Sequence, residues 1–476
     1  MKKKWILIGL PIVTVAIFLS VSDTARRFTF YGMSMAASAG AKLACSGVYA
    51  MGREPDEVIK RDLRPFYAPL LEYASFDFDL EKQTAEATML GLVSRTALYR
   101  PGVGCTVMID TDREELLDQS RGIEDAQLVN RPGDWPEGDV VTLDNSLENI
   151  DWLQLEKGIT GAFEDNTENK IIDTRAIIVV YEGRIIAEQY ADGFDGYSRF
   201  MSWSASKSIT SALIGTLVTD GKLALHDPAP VHEWASESDP RHAITLHHLL
   251  TMTSGLEFSE PYLPGNDSTD MLFKTARMGD FAAGKPLFKQ PGELWAYSSG
   301  TTNLLSRILF DTVGGNLKST HDYVWERFFE PVGMTSAIFD TDVFGSHVGS
   351  SFFYASARDW ARFGLLYLNE GKVGDRQILS KEWVEYSHTP TPLAPKGMYG
   401  AQFWLNGGHP TGDDEGLMMP DCPKDMYMAS GYNEQRIAIV PSKKAVVVRL
   451  GWTTLGARFD TNKHFSQILA AIPDKQ

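Results

Sequence analysis

Three short stretches of this 476-residue chain carry side chains that could do chemistry together. The first is Ser204-Ala-Ser-Lys207. A serine hydroxyl is a weak nucleophile and needs a base to take its proton. A lysine three residues later on a helix lies on the same face, one turn away. In an apolar or positive site its pKa falls, and it can act as that base or help it. On its own the pattern is weak, because a solvated Ser and Lys on a helix surface produce it too. The second stretch is Glu293-Leu-Trp-Ala-Tyr297-Ser-Ser299, after Pro291-Gly292 and before a helix beginning near Thr302. A tyrosine at such a junction can turn its phenol into a cleft, or simply pack against the helix start. The third is Ala429-Ser-Gly431-Tyr432. A small residue followed by glycine lets a strand lie close to a substrate, although an ordinary bulge reads the same way.

The elements around these stretches follow from periodicity. Ile209, Leu213, Ile214, Leu217 and Val218 recur at helical spacing, and Asp220-Gly221 ends the pattern. Ser204-Ala-Ser-Lys207 therefore opens a helix, and the Ser204 amide lies near its N-terminus, where backbone N–H groups can stabilise an oxyanion. Further helices are expected over Leu304 to Val313 and Ala355 to Asn369. Ala176 to Tyr181 and Arg184 to Tyr190, joined by Glu182-Gly183, read as a β-hairpin. Gln435 to Val440 and Ala445 to Leu450 read as another. Strands at both ends with helices between them predict one antiparallel sheet, closed by the two ends of the region, with an inserted helical part.

The order S-x-x-K, Y-x-S, small-polar-Gly resembles the serine β-lactamases, the penicillin-binding proteins and their esterase and amidase relatives. Leu246 to Leu256, Pro291 to Ser299, Pro331 to Met334 and Ala357 to Gly364 look like the class C β-lactamase-related group, most of all its 6-aminohexanoate-dimer hydrolase branch. The resemblance runs from about residue 150 to the end. It implies an α/β (α+β) fold of the β-lactamase/transpeptidase type, with an antiparallel sheet flanked by a mostly helical subdomain. It also implies that Ser204 is acylated, that Lys207 eases formation of its alkoxide, and that Tyr297 shuttles the proton to the leaving group. The amides of Ser204 and Tyr432 would form the oxyanion hole. Ser299, Ser430, Gly431 and Arg436 would line the substrate. No metal and no cofactor are implied.

Two departures bear on the substrate. True β-lactamases begin the third motif with Lys, and many esterase relatives with His or Trp; here Ala429 stands there. The cation that holds a β-lactam carboxylate is missing unless Arg436 replaces it. The middle motif ends in Ser299 rather than Asn, so a side-chain amide is missing too. Small esters or linear amides are the expected substrates. A D-peptidase or weak β-lactamase acting on cell-wall material is the alternative within the class. A catalytically inactive binder of peptidoglycan or lipid is the alternative outside it, and the intact Ser204, Lys207 and Tyr297 speak against that.

Other motifs are absent. There is no G-x-S-x-G elbow. His232-Glu-Trp-Ala-Ser236 lacks the second His of a zinc motif, and Gly102 to Val107 lacks the third glycine of a dinucleotide fingerprint. The net charge of −17 argues against nucleic-acid binding, which needs clustered Lys and Arg. Hydrophobic residues at 43% and charged residues at 22% suit a globular chain with a large core. Residues 1–27 read as a membrane anchor or signal segment, because Lys2–Lys4 precedes an apolar run from Trp5 to Val21 with no small-x-small cleavage site close behind. The lysines would keep that end in the cytoplasm. The expected location is the cell envelope, anchored in the inner membrane with the catalytic part outside, or secreted if the segment is cleaved. Residues 28–148 form an accessory region, ending in a Pro- and Gly-dense stretch at Asn130 to Asp139, and 149–476 the hydrolase domain. Of the three cysteines, Cys45 and Cys105 are a candidate disulfide that would leave Cys422 free; three buried thiols are the other reading.

Overall fold

A computed structural model describes residues 23–66, 71–125, 131–143, 146–166, 171–407 and 416–474. The two hairpins form from apolar runs with turn residues between them. Thr174–Tyr181 pairs antiparallel with Arg184–Tyr190, and Gln435–Val440 with Ala445–Gly451. The hairpins join through Val447 opposite Val179 and Val448 opposite Ile178. With Tyr427–Gly431 and the short Trp404–Leu405 they make a six-stranded antiparallel sheet. Strand alternation gives each face its own core. Ile178, Val180, Ala429, Ile437, Val446 and Val448 face the helical part, including Ser206–Thr219 and Ala357–Leu368. Ile177, Val179, Met428, Ala438 and Val447 face Trp152–Phe163 and Thr461–Ala470. This is the α/β architecture of the β-lactamase/transpeptidase type.

The N-terminal part is a second, four-stranded antiparallel sheet over Ala74–Asp79, Thr84–Met89, Val93–Arg100 and Gly104–Val107. The helix Asp23–Cys45 packs on it through small residues. A Cβ on Gly40 would lie 3.1 Å from the Ala87 Cβ. Cys45 at the helix end is bonded to Cys105, and Cys422 is buried and free. This part does not stand apart. Its core runs on into Met201, Trp203, Phe352 and Trp452. Lys42, fully enclosed, forms an ion pair with Asp340 and donates to Ser46 Oγ at 2.9 Å and to the Tyr354 hydroxyl at 3.2 Å. Asp62 pairs with Arg53 and Arg175, and its carbonyl accepts from the Trp452 indole at 3.0 Å.

The membrane anchor expected at the N-terminus is not upheld. Among the described residues no helix is long and apolar enough to cross a membrane. The run Trp5 to Val21 itself lies outside them. The first described helix, Asp23–Cys45, carries Lys42 in its last turn. Its Lys42 is neutralised by a protein carboxylate, and its small residues pack on a sheet, so the helix is part of the protein core. The membrane partner and the inner-membrane location rested on such a span, and they are withdrawn with it.

Candidate active site

The strand Arg199–Met201 runs into a 3-10 turn, Trp203–Ala205, and then into the helix Ser206–Thr219. Trp203 sits at φ 48°, a left-handed conformation that costs a bulky residue roughly 1–3 kcal/mol. Aromatic packing holds it there. Its ring lies 6.0 Å from Phe352, 6.3 Å from Trp452 and 5.7 Å, edge-on, from Tyr432. The Ser204 side chain therefore leaves a turn that the N-terminal core helps to fix.

Lys207, one turn on, is 1% exposed. Its Nζ reaches Ser204 Oγ at 3.2 Å, Ser299 Oγ at 3.1 Å and the Ser350 carbonyl at 2.9 Å. Burial pulls its pKa down to about 8, against the opposing pull of Glu260. Near neutral pH a useful fraction is then the free amine. The Tyr297 ring centroid is 5.0 Å from Nζ. Trp404 and Tyr399 hold that ring, at 5.5 and 5.9 Å. Burial, with Tyr399 and Glu260 nearby, pushes the Tyr297 phenol well above its ordinary pKa, while a hydrogen bond with Ser204 works the other way. The resting phenol keeps its proton and suits a donor better than a base.

Ser298 caps the helix Ser299–Thr312 by accepting from the Thr301 amide, which points Ser299 inward. The third motif lies on Tyr427–Gly431, with Ala429 fully buried against the helical part. Gly431 touches the start of the nucleophile helix: a Cβ there would sit 2.0 Å from the Ser202 carbonyl oxygen and 3.0 Å from the Ala205 nitrogen. Ser430 and Arg436 lie opposite each other across paired strands. Arg436 donates to Ser430 Oγ at 2.8 Å and to the Gly431 carbonyl at 3.2 Å, and it pairs with Glu434. Its charge is thus already matched by a carboxylate. Ser430 and Arg436 line a cavity of about 630 Å³, together with Trp404, Met428 and Phe459.

The structure thus brings Ser204, Lys207, Tyr297 and Ser299 together, with Gly431 and Tyr432 at the turn. One neighbour was not foreseen. Glu260 accepts from the Ser299 amide and hydroxyl, both at 2.7 Å. It follows closely on the Leu246 to Leu256 block, and that adjacency was the only signal available for it. Among the described residues no cluster of His, Cys, Asp and Glu is arranged to hold a metal ion.

Residues 160–470 match the family model described as Beta-lactamase. The match spans well over half of the chain, and the chain belongs to this family. It is a member of the serine-hydrolase superfamily of β-lactamases and penicillin-binding proteins, related to the 6-aminohexanoate-dimer hydrolase branch. That membership makes it a hydrolase with an acyl-enzyme type of mechanism. The 6-aminohexanoate-dimer hydrolase of Paenarthrobacter ureafaciens is 23% identical over 311 residues, which is 58% of this chain and 72% of that protein. Esterase EstB of Burkholderia gladioli is 28% identical over 216 residues, 40% of this chain and 54% of that one. The crystal structure of a family VIII carboxylesterase shares the fold with a TM-score of 0.53 at 13% identity, covering 67% of this chain and 96% of its own.

Proposed function

We propose that the protein hydrolyses small esters or linear amides through an acyl-enzyme on Ser204. The observation that carries this reading is the buried Lys207 amine, 3.2 Å from Ser204 Oγ. Ser204 Oγ attacks the substrate carbonyl carbon, and Lys207 Nζ takes its proton. The oxyanion is met by the amides of Ser204 and Tyr432. Tyr297 donates its phenolic proton to the departing alcohol or amine and is reprotonated from Lys207. Water then attacks the acyl group, and the same groups return Ser204 to its resting state. The similarity to a 6-aminohexanoate-dimer hydrolase and to an esterase supports these substrate classes.

The strand chemistry supports esters over β-lactams. A cation meeting a β-lactam carboxylate would contribute about 1.5–3 kcal/mol. Ala429 supplies none, and Arg436 is paired with Glu434. That difference corresponds to roughly a ten- to hundredfold weaker preference for β-lactams. The expected outcome is a kcat/KM for p-nitrophenyl acetate or butyrate at least about tenfold above that for nitrocefin. Faster hydrolysis of nitrocefin would return the protein to the β-lactamase reading.

A further inference from the structure

Lys207 as a base has a geometric requirement. A neutral amine carries two N–H groups and one lone pair, and the lone pair must face the Ser204 hydroxyl. The two N–H groups then need acceptors. The Ser350 carbonyl at 2.9 Å is one, and it can only accept. Ser299 Oγ at 3.1 Å is the other, but a serine hydroxyl can donate as well as accept. If it donated to Lys207, it would occupy the lone pair that Ser204 needs.

Glu260 removes that ambiguity. The Ser299 hydroxyl donates to Glu260 Oε1 and the Ser299 amide to Oε2, each at 2.7 Å. With its one hydrogen committed to the carboxylate, Ser299 Oγ offers Lys207 only lone pairs. We propose that Glu260 is a positioning residue that, through Ser299, holds Lys207 with its lone pair on Ser204 and with a carboxylate charge close by. This rests on the catalytic reading above and adds to it a residue that touches neither the nucleophile nor the substrate.

The electrostatics run the same way. Burial is the main influence on both groups, lowering Lys207 and raising Glu260, while each opposes that effect on the other. Tyr297 is the other titratable group beside Lys207, and its ring faces the amine. Lys207, Tyr297 and Tyr399 interact electrostatically with Glu260, and Tyr262, two residues on, acts on Tyr297 as well. Ser299 Oγ lies 3.1 Å from Lys207 Nζ and 2.7 Å from Glu260 Oε1, and an opposite charge within about 4–6 Å moves a pKa by about one to three. Removing the Glu260 charge therefore lowers the Lys207 pKa further.

The test is the pH profile of the rate at which a fluorophosphonate labels Ser204 in the full chain, which needs no knowledge of the substrate. In the unmodified protein the rate should rise with pH through about 8, as Lys207 loses its proton. In E260Q that rise should move to lower pH by about one unit or more. The plateau should also fall about tenfold or more, within the range that a mispositioned base costs. E260D keeps the charge on a shorter arm, and its profile should lie between the two. If E260Q does not fold, E260D against the unmodified protein carries the test, with a smaller shift in the same direction. A lowered plateau with an unmoved rise would show that Glu260 only packs, and would overturn the inference. An unmodified protein that is not labelled at Ser204 would instead contradict the catalytic reading.

Discussion

Replacing Lys207 by methionine should slow acylation of Ser204 by about 10²- to 10⁴-fold, the range for loss of a positioned general base. Methionine fills most of the lysine volume without charge, so the apolar packing of the helix Ser206–Thr219 is kept. What is lost is the only amine bridging Ser204, Ser299 and the Ser350 carbonyl among the described residues. The pH profile should change with the rate. Lys207 is pulled down to about 8 chiefly by burial, so in the unmodified protein kcat/KM for an activated ester should climb as pH rises through that value. K207M should lose the climb. Steady-state kinetics from about pH 6 to 9.5 read both effects, and a retained climb in K207M would assign it to another group.

Gly431→Ala should be nearly as damaging, for a steric reason. The added Cβ would lie 2.0 Å from the Ser202 carbonyl oxygen and 3.0 Å from the Ala205 nitrogen. Both are backbone atoms in the turn that carries Ser204, so neither can swing aside. The strand Tyr427–Gly431 must back away, and with it the Tyr432 amide. An oxyanion site opened in this way should cost about 10²- to 10³-fold in kcat/KM. Overpacking should also lower stability by about 1–3 kcal/mol. Ester kinetics and a urea midpoint measure the two losses separately. Unchanged kcat/KM in G431A would show that this close approach plays no part in catalysis.

Much of the hydrolase part could be read from the sequence because its signals are local. The hairpins at Glu182-Gly183 and Pro441 to Lys444 stand between apolar β-branched runs that alternate or are buried on both faces. The nucleophile helix announces itself by apolar spacing and by the Asp220-Gly221 stop. The four-stranded N-terminal sheet gave no such signal. Its buried positions include Ala85, Ala87 and Ala97, which pack against small residues of the helix Asp23–Cys45 such as Ala36, Ala37 and Ala41. Small residues packed on small residues leave a faint hydrophobic pattern, however tight the contact. Glu260 was hidden for another reason. Its partner Ser299 is 39 residues away, and nothing local distinguishes a buried acceptor from a solvated glutamate. The N-terminal run, an apolar stretch behind lysines, has the composition of an anchor, but it lies outside the described residues, among which no helix is long and apolar enough to cross a membrane. The helix that follows it is instead tied to Asp340 through Lys42.

The identity of the nucleophile is the claim on which the rest depends, and covalent mapping tests it most directly. A fluorophosphonate probe added to the folded protein should leave a single adduct, located by peptide mass spectrometry on Ser204. Ser204→Ala should lose the adduct and the ester hydrolysis together while keeping its melting temperature, because Ser204 is partly exposed and fills little of the core. An adduct on any other serine, persisting undiminished in S204A, would contradict the account.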